Sequence, residues 1–255
     1  MKIGSENNMK IILIGDSITK GLGSKKINFE DQLLLKIKNS KIINLAETGT
    51  TIKRANELIN NIIFLKPDVI INFYGNVDAQ LRPNRTGKIY KFLPVYFKRF
   101  NGSMLSPRPF YSSKLFKKII QKIENLVRTF LRVIIYKIDG KEQWVKYDEF
   151  IELYEKFTKF ILEKNIKLIN VSTVFLDKKY YPGSVEEYIK YNEAIKKISR
   201  IYNVEYLNLF DILKDNVKKK GWDSCYNKDH FHPNGDGYIL IANEISKRII
   251  CDECI

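Results

Sequence analysis

A serine hydroxyl becomes a useful nucleophile only when an imidazole can take its proton and a further group holds that imidazole in the right tautomer. The chain contains two histidines, His230 and His232, and both lie in NKDHFHPNGDGY at 227–238. Asp229 precedes His232 by three residues, a spacing that lets one short turn bring its carboxylate to the ring. Pro233 and Asn234-Gly235 then turn the chain. Alone, this pattern also suits a surface turn with two solvated histidines. The serine that could meet such a base is Ser17, in IILIGDSITKG at 11–21, where an apolar run passes straight into Gly-Asp-Ser. Gly15-Asp16-Ser17 alone equally suits a strand-to-helix turn with a serine cap. Asp16 is expected to bond loop amides.

Five apolar, β-branched runs predict strands at 10–14, 41–45, 69–74, 167–171 and 205–209. Helical spacing falls between or after them at 29–38, 52–65, 147–163, 185–202 and 237–250. Alternating strands and helices predict an α/β fold with a parallel sheet covered on both faces. Such sheets bind ligands outside the carboxyl ends of their strands, which is where Ser17 falls. The whole of 1–255 reads as one domain interrupted by an insertion at 79–146.

That insertion holds most of the charge. The chain has a formal net charge of +15, and residues 82–146 carry 16 Lys and Arg against 3 Asp and Glu. Its second half predicts an amphipathic helix, with Leu115, Phe116, Ile119, Ile120, Ile123 and Leu126 at helical spacing and lysines largely between them. Two readings stay open: the apolar stripe packs on the domain, or the segment is a surface for an anionic membrane, a glycan or an acidic protein. Nucleic acid is a weaker fit. Tyr90, Phe92, Tyr96, Phe97 and Phe100 do interleave with Lys88, Lys91, Lys98 and Arg99, but no nucleic-acid motif accompanies them.

No apolar run approaches the roughly 20 residues of a bilayer span, and no signal-type apolar segment precedes the first strand, so a cytoplasmic location is expected, peripheral at the inner membrane face if the insertion binds lipid. Three cysteines are too few for a disulfide framework. Cys251 and Cys254 lack the second ligand pair of a zinc site, so no metal site is expected.

GDSI after the first strand, ETGTT after the second, YGNVD after the third and DHFHPNGDG before the last helix together resemble the four blocks of the SGNH/GDSL hydrolase family, in that family's order. The resemblance spans residues 10–250. It implies a three-layer α/β/α sandwich around a central parallel five-stranded sheet of flavodoxin-like type. By it, Ser17 is the nucleophile, His232 the base and then the acid, and Asp229 its orienter. The backbone N–H groups of Ser17 and Gly49 would be oxyanion donors. No cofactor is required.

The third block departs from the family's usual Gly-x-Asn-Asp, because Val77 stands at the Asn position and Asn76 one residue earlier. Asn76 serves as third donor only if the strand has already given way to a loop there. GNVDAQLRP at 75–83 is more similar to a subgroup whose third block reads Gly-Ile-Val-Asp-Cys-Ala-Pro-Arg, which aligns Asp78 and Arg82 with its acidic and basic positions. Arg82 then either binds an anionic substrate group or pairs with Asp78.

The function expected is that of a serine esterase or deacetylase on an O-acyl substrate, a small molecule or a glycan ester, acetylated or lipid-linked. An O-acyltransferase modifying a surface glycan shares the first half-reaction. A degenerate protein that binds an anionic membrane or another polyanion is the non-enzymatic alternative.

Overall fold

The computed structural model describes residues 8–24, 27, 29–95 and 105–250. Tyr96, Phe97, Lys98, Arg99 and Phe100 lie outside the described residues, as do Cys251 and Cys254.

Five parallel strands form the central sheet: β1 (Met9–Gly15), β2 (Ser40–Asn44), β3 (Val69–Phe73), β6 (Lys167–Val171) and β7 (Glu205–Leu207). Their order is β2-β1-β3-β6-β7, the flavodoxin-like arrangement in which the chain reverses direction beside β1. Ile11 to Ile14 and Val69 to Phe73 are buried on both faces, which is why these strands read as unbroken apolar runs. The polar exceptions are paired. Asn72 and Asn170 sit opposite each other on β3 and β6, and Asn72 Nδ2 donates to Asn170 Oδ1 at 3.2 Å. Tyr154 and Ser199 complete the partners of Asn170.

Helices cover the sheet in two groups. α1 (Phe29–Leu34) packs against the C-terminal α10 (Gly235–Ile250), while α2 (Ile52–Glu57) packs on α7 (Tyr147–Glu163) and α7 on α8 (Ser184–Ile201). The helix expected over 52–65 is two, α2 and α3 (Ile59–Leu65), meeting at Leu58. A further helix, α9 (Leu209–Lys220), follows β7 directly where the last apolar run was expected to continue as strand.

Between β3 and α7 the chain makes α4 (Asn76–Ala79), β4 (Arg82–Pro83), α5 (Lys88–Phe92), α6 (Leu115–Ile138) and β5 (Lys141–Glu142). β4 and β5 pair antiparallel, closing the base of this excursion. Its own apolar cluster is small, built on Leu93, Leu105 and Ile135.

Candidate active site

Ser17 follows β1 in a turn that requires Gly15, because a Cβ there would lie 2.1 Å from Thr19 Oγ1. Asp16 Oδ1 accepts from Ile18 N at 2.9 Å and holds the turn from below. Asp16 Oδ2 is buried without a partner, and burial pushes this carboxyl up to about 6. From the other side, the Tyr238 hydroxyl on α10 donates to Ile18 O and Leu22 O at 3.0 and 2.7 Å.

His232 arrives on a clamped loop. Asn227 N donates to His232 O at 2.9 Å, and Asn234 N to Cys225 O at 3.1 Å. Within it, Asp229 Oδ1 accepts from Phe231 N and His232 N, while Oδ2 lies 2.6 Å from His232 Nδ1. The carboxylate is thus buried but satisfied, and it holds both the turn and the ring. Ser17 Oγ lies 3.1 Å from His232 Nε2. With the Nδ1 proton assigned toward Asp229, Nε2 is left as an acceptor for the serine hydroxyl. His230 turns elsewhere: its Nδ1 meets Asp177 Oδ2 at 2.8 Å and its ring stacks on Trp222 at 4.5 Å.

These groups open on a cleft of about 190 Å³ lined by Ser17, Gly49, Val77, Gln80, Arg82, Ser106, Trp144 and His232 among others. Gly49 holds φ +77°, a left-handed conformation that suits glycine. Neither Ser17 N nor Gly49 N donates to a protein group among the described residues.

Asn76 is enclosed instead of facing the cleft. It opens α4, its Oδ1 accepts from Val174 N at 2.8 Å, and the next residue, Val77, is the one that lines the cleft. This departs from the third oxyanion donor expected at Asn76, because successive helical residues point about 100° apart. Asp78 departs likewise from a substrate contact. Fully buried, it accepts from Ile52 N at 2.9 Å and Gly75 N at 3.1 Å, and burial raises it to about 7.

Arg82 does line the cleft, and no ion pair joins it to Asp78 among the described residues. Its Nη1 donates to Val77 O and Gln80 O, its Nη2 to Gln80 Oε1, and its Nε is buried without a partner. Burial lowers its pKa to about 10, still far above neutrality. The indole Nε1 of Trp144, beside it, is also buried and unpartnered. Trp144, Gln80 and Ser106 were not legible as site residues; a lone tryptophan in the polar stretch KEQWVK was the one signal available. Among the described residues no three His, Cys, Asp or Glu side chains converge as metal ligands.

A flavodoxin-like sheet carrying a hydroxyl, an imidazole and a carboxylate at its carboxyl edge defines a class, the three-layer α/β carboxylic ester hydrolases. The model of the GDSL-like lipase/acylhydrolase family matches residues 13–240, and the chain belongs to that family. A comparison with curated proteins finds no match. Among solved structures, a catalytic mutant of Axe2, an acetylxylan esterase from Geobacillus stearothermophilus, is similar at 14% identity and TM-score 0.62, over 98% of this chain and 96% of that one. A lipase/acylhydrolase from Enterococcus faecalis is similar at 17% identity and TM-score 0.57, over 94% and 95%. At these identities the likeness is one of fold.

Proposed function

We propose that the protein is a serine esterase that removes a small acyl group, such as acetyl, from a hydroxyl of a glycan or related alcohol. The observation that carries this reading is the unbroken hydrogen-bonded sequence Ser17 Oγ, His232 Nε2, His232 Nδ1, Asp229 Oδ2 at the mouth of the cleft.

Ser17 Oγ attacks the ester carbonyl carbon while His232 Nε2 takes its proton, and the carbonyl oxygen becomes an oxyanion. Asp229 stabilises the imidazolium and keeps its orientation. The N–H groups of Ser17 and Gly49, which donate to no protein group among the described residues, are the donors suited to the oxyanion. Collapse breaks the bond to the alcohol oxygen, which receives the proton from His232, and leaves an acyl-Ser17. Water then repeats the sequence, giving a free acid and the original serine.

The cleft's volume favours a short acyl chain, and the acetylxylan esterase named above is a neighbour in fold. Arg82 favours an alcohol portion that carries a carboxylate or phosphate. Among the described residues its charge has no ion-pair partner, and a guanidinium is well suited to bind such a group. Asp78 supports the cleft from behind by holding the turn at Gly75.

Hydrolysis of p-nitrophenyl acetate, butyrate and octanoate, followed by acetylated neutral and acidic sugars, tests the reading. The expected order is acetate first and acidic sugar over neutral. A preference for octanoate, or equal turnover by Ser17→Ala, contradicts it. Partition of the acyl-enzyme to an added sugar alcohol over water would identify an acyltransferase instead.

A further inference from the structure

Helix α6 presents its apolar side to solvent and its polar side to the protein. Asn125, Arg128 and Arg132 are buried, whereas Phe116 is 79% exposed, Ile123 55%, Leu126 64% and Phe130 66%. The inner face is fastened by polar bonds. Arg108 N donates to Asn125 Oδ1 at 3.0 Å, Arg128 pairs with Glu124 at 2.6 Å, and Arg132 donates to Tyr180 O and Ser106 Oγ at 2.7 and 2.8 Å. At 100° per residue, positions 116, 119, 123, 126 and 130 fall on the side opposite 121, 125, 128 and 132. The outward strip from Phe116 to Phe130 is about 21 Å long, too large and continuous to be scattered surface residues.

We propose that this face docks the enzyme on an anionic lipid bilayer, with α6 lying in the interface. The charge pattern selects that occupant. Lys117 and Lys122 are exposed on either side of the apolar strip, at about 100° and 240° from Phe116 around the helix, while Lys118 and, at the N-cap, Lys114 are exposed on the polar side of its first turns. The one acidic residue of the helix, Glu124, is engaged on the inner side by Arg108 and Arg128. An apolar strip edged by lysines suits acyl chains below anionic headgroups. Among the described residues no helix is long and apolar enough to cross a membrane, so the helix lies on the bilayer and does not span it.

The same segment reaches the catalytic cleft. Ser106, Pro107 and Pro109, in the chain leading into α6, line it, and Arg132 of α6 holds Ser106. Docking by the outer face would therefore hold the cleft's rim one helix diameter, about 10 Å, above the lipid surface. The docking itself does not depend on which ester is cleaved.

Co-sedimentation of the full chain with phosphatidylcholine vesicles, with and without about one-third phosphatidylglycerol, tests the proposal. Partition is expected to be about tenfold or more greater on the anionic vesicles and to fall with added salt. Phe116→Ser with Ile123→Ser, and separately Lys117→Glu with Lys118→Glu, should each lower it about tenfold. Both variants should keep wild-type hydrolysis of a soluble ester, which certifies their fold. Equal partition to neutral vesicles, or none to either, overturns the proposal. So does a wild-type dimer in sedimentation velocity that Phe116→Ser with Ile123→Ser dissociates, since a second copy would then be the occupant.

Discussion

The guanidinium of Arg82 lies 4.0 Å from the centroid of the Trp144 ring, so that a charge and an indole together wall the cleft that Ser17 enters. Three of the arginine's bonds go to acceptors of its own loop, and the ring covers its face. A planar fork is needed for both jobs, so lysine is not equivalent. Arg82→Lys is expected to raise KM for an acetylated acidic sugar about tenfold while moving KM for the neutral sugar ester much less. Equal changes for the two esters would assign Arg82 to loop structure alone.

Positions 76 and 77 keep the places of the family pattern, but the one that lines the cleft carries a valine and the enclosed one the asparagine, and the consequence is measurable. Asn76→Ala removes a buried bond to Val174 N and is expected to cost about 1–3 kcal/mol in urea denaturation. Per folded molecule, kcat should escape the 10²- to 10³-fold loss, about 2.7–4 kcal/mol, that follows removal of an oxyanion donor. A loss of that size without loss of stability would return Asn76 to the oxyanion hole.

Two carboxyls behind the site make stability depend on pH. Burial raises Asp16 to about 6 and Asp78 to about 7, from an ordinary 3.8. Each folded carboxyl keeps its proton over a range in which the unfolded chain has lost it. Their contribution is therefore full below pH about 4 and is lost from there up to about pH 6 for Asp16 and about pH 7 for Asp78, at about 1.4 kcal/mol per unit for each group. Asp16→Asn, which imitates the protonated acid, should flatten the fall in unfolding free energy between pH 5 and 6. An unchanged slope would show that Asp16 ionises normally in the folded protein.

Asp229 satisfies its loop and its histidine at once, so its loss should be felt in catalysis more than in binding. Asp229→Asn leaves the turn's acceptor but presents an amide to Nδ1, which favours the wrong tautomer. A fall in kcat of about 10⁴-fold with KM little changed is expected from steady-state kinetics. A drop below tenfold would argue against proton transfer through His232.

The strands were legible because burial on both faces leaves unmistakable apolar runs, and Tyr147–Glu163 carried an equally clear helical period. Helix α9 is hidden in the sequence, although Asn208-Leu-Phe-Asp211 is a start signal: Asn208 Oδ1 accepts from Asp211 N at 3.3 Å. The apolar Leu207 and Leu209 masked it. β4 and β5, two residues each, are too short for any period. For α6, the spacing revealed an amphipathic helix but not which face turns inward. That choice rests on Arg128, Arg132 and Asn125 finding partners such as Tyr180, Ser106 and Tyr111, contacts that periodicity does not encode. The site divides the same way: local turns were readable, and walls brought from afar, such as Trp144, were not.

The account stands most directly on the reactivity of one hydroxyl. Incubation of the folded protein with a fluorophosphonate, followed by mass spectrometry of its peptides, should find one adduct per chain, on Ser17, and none in His232→Ala. An intact protein that stays unlabelled, or carries the adduct on another residue, would contradict it.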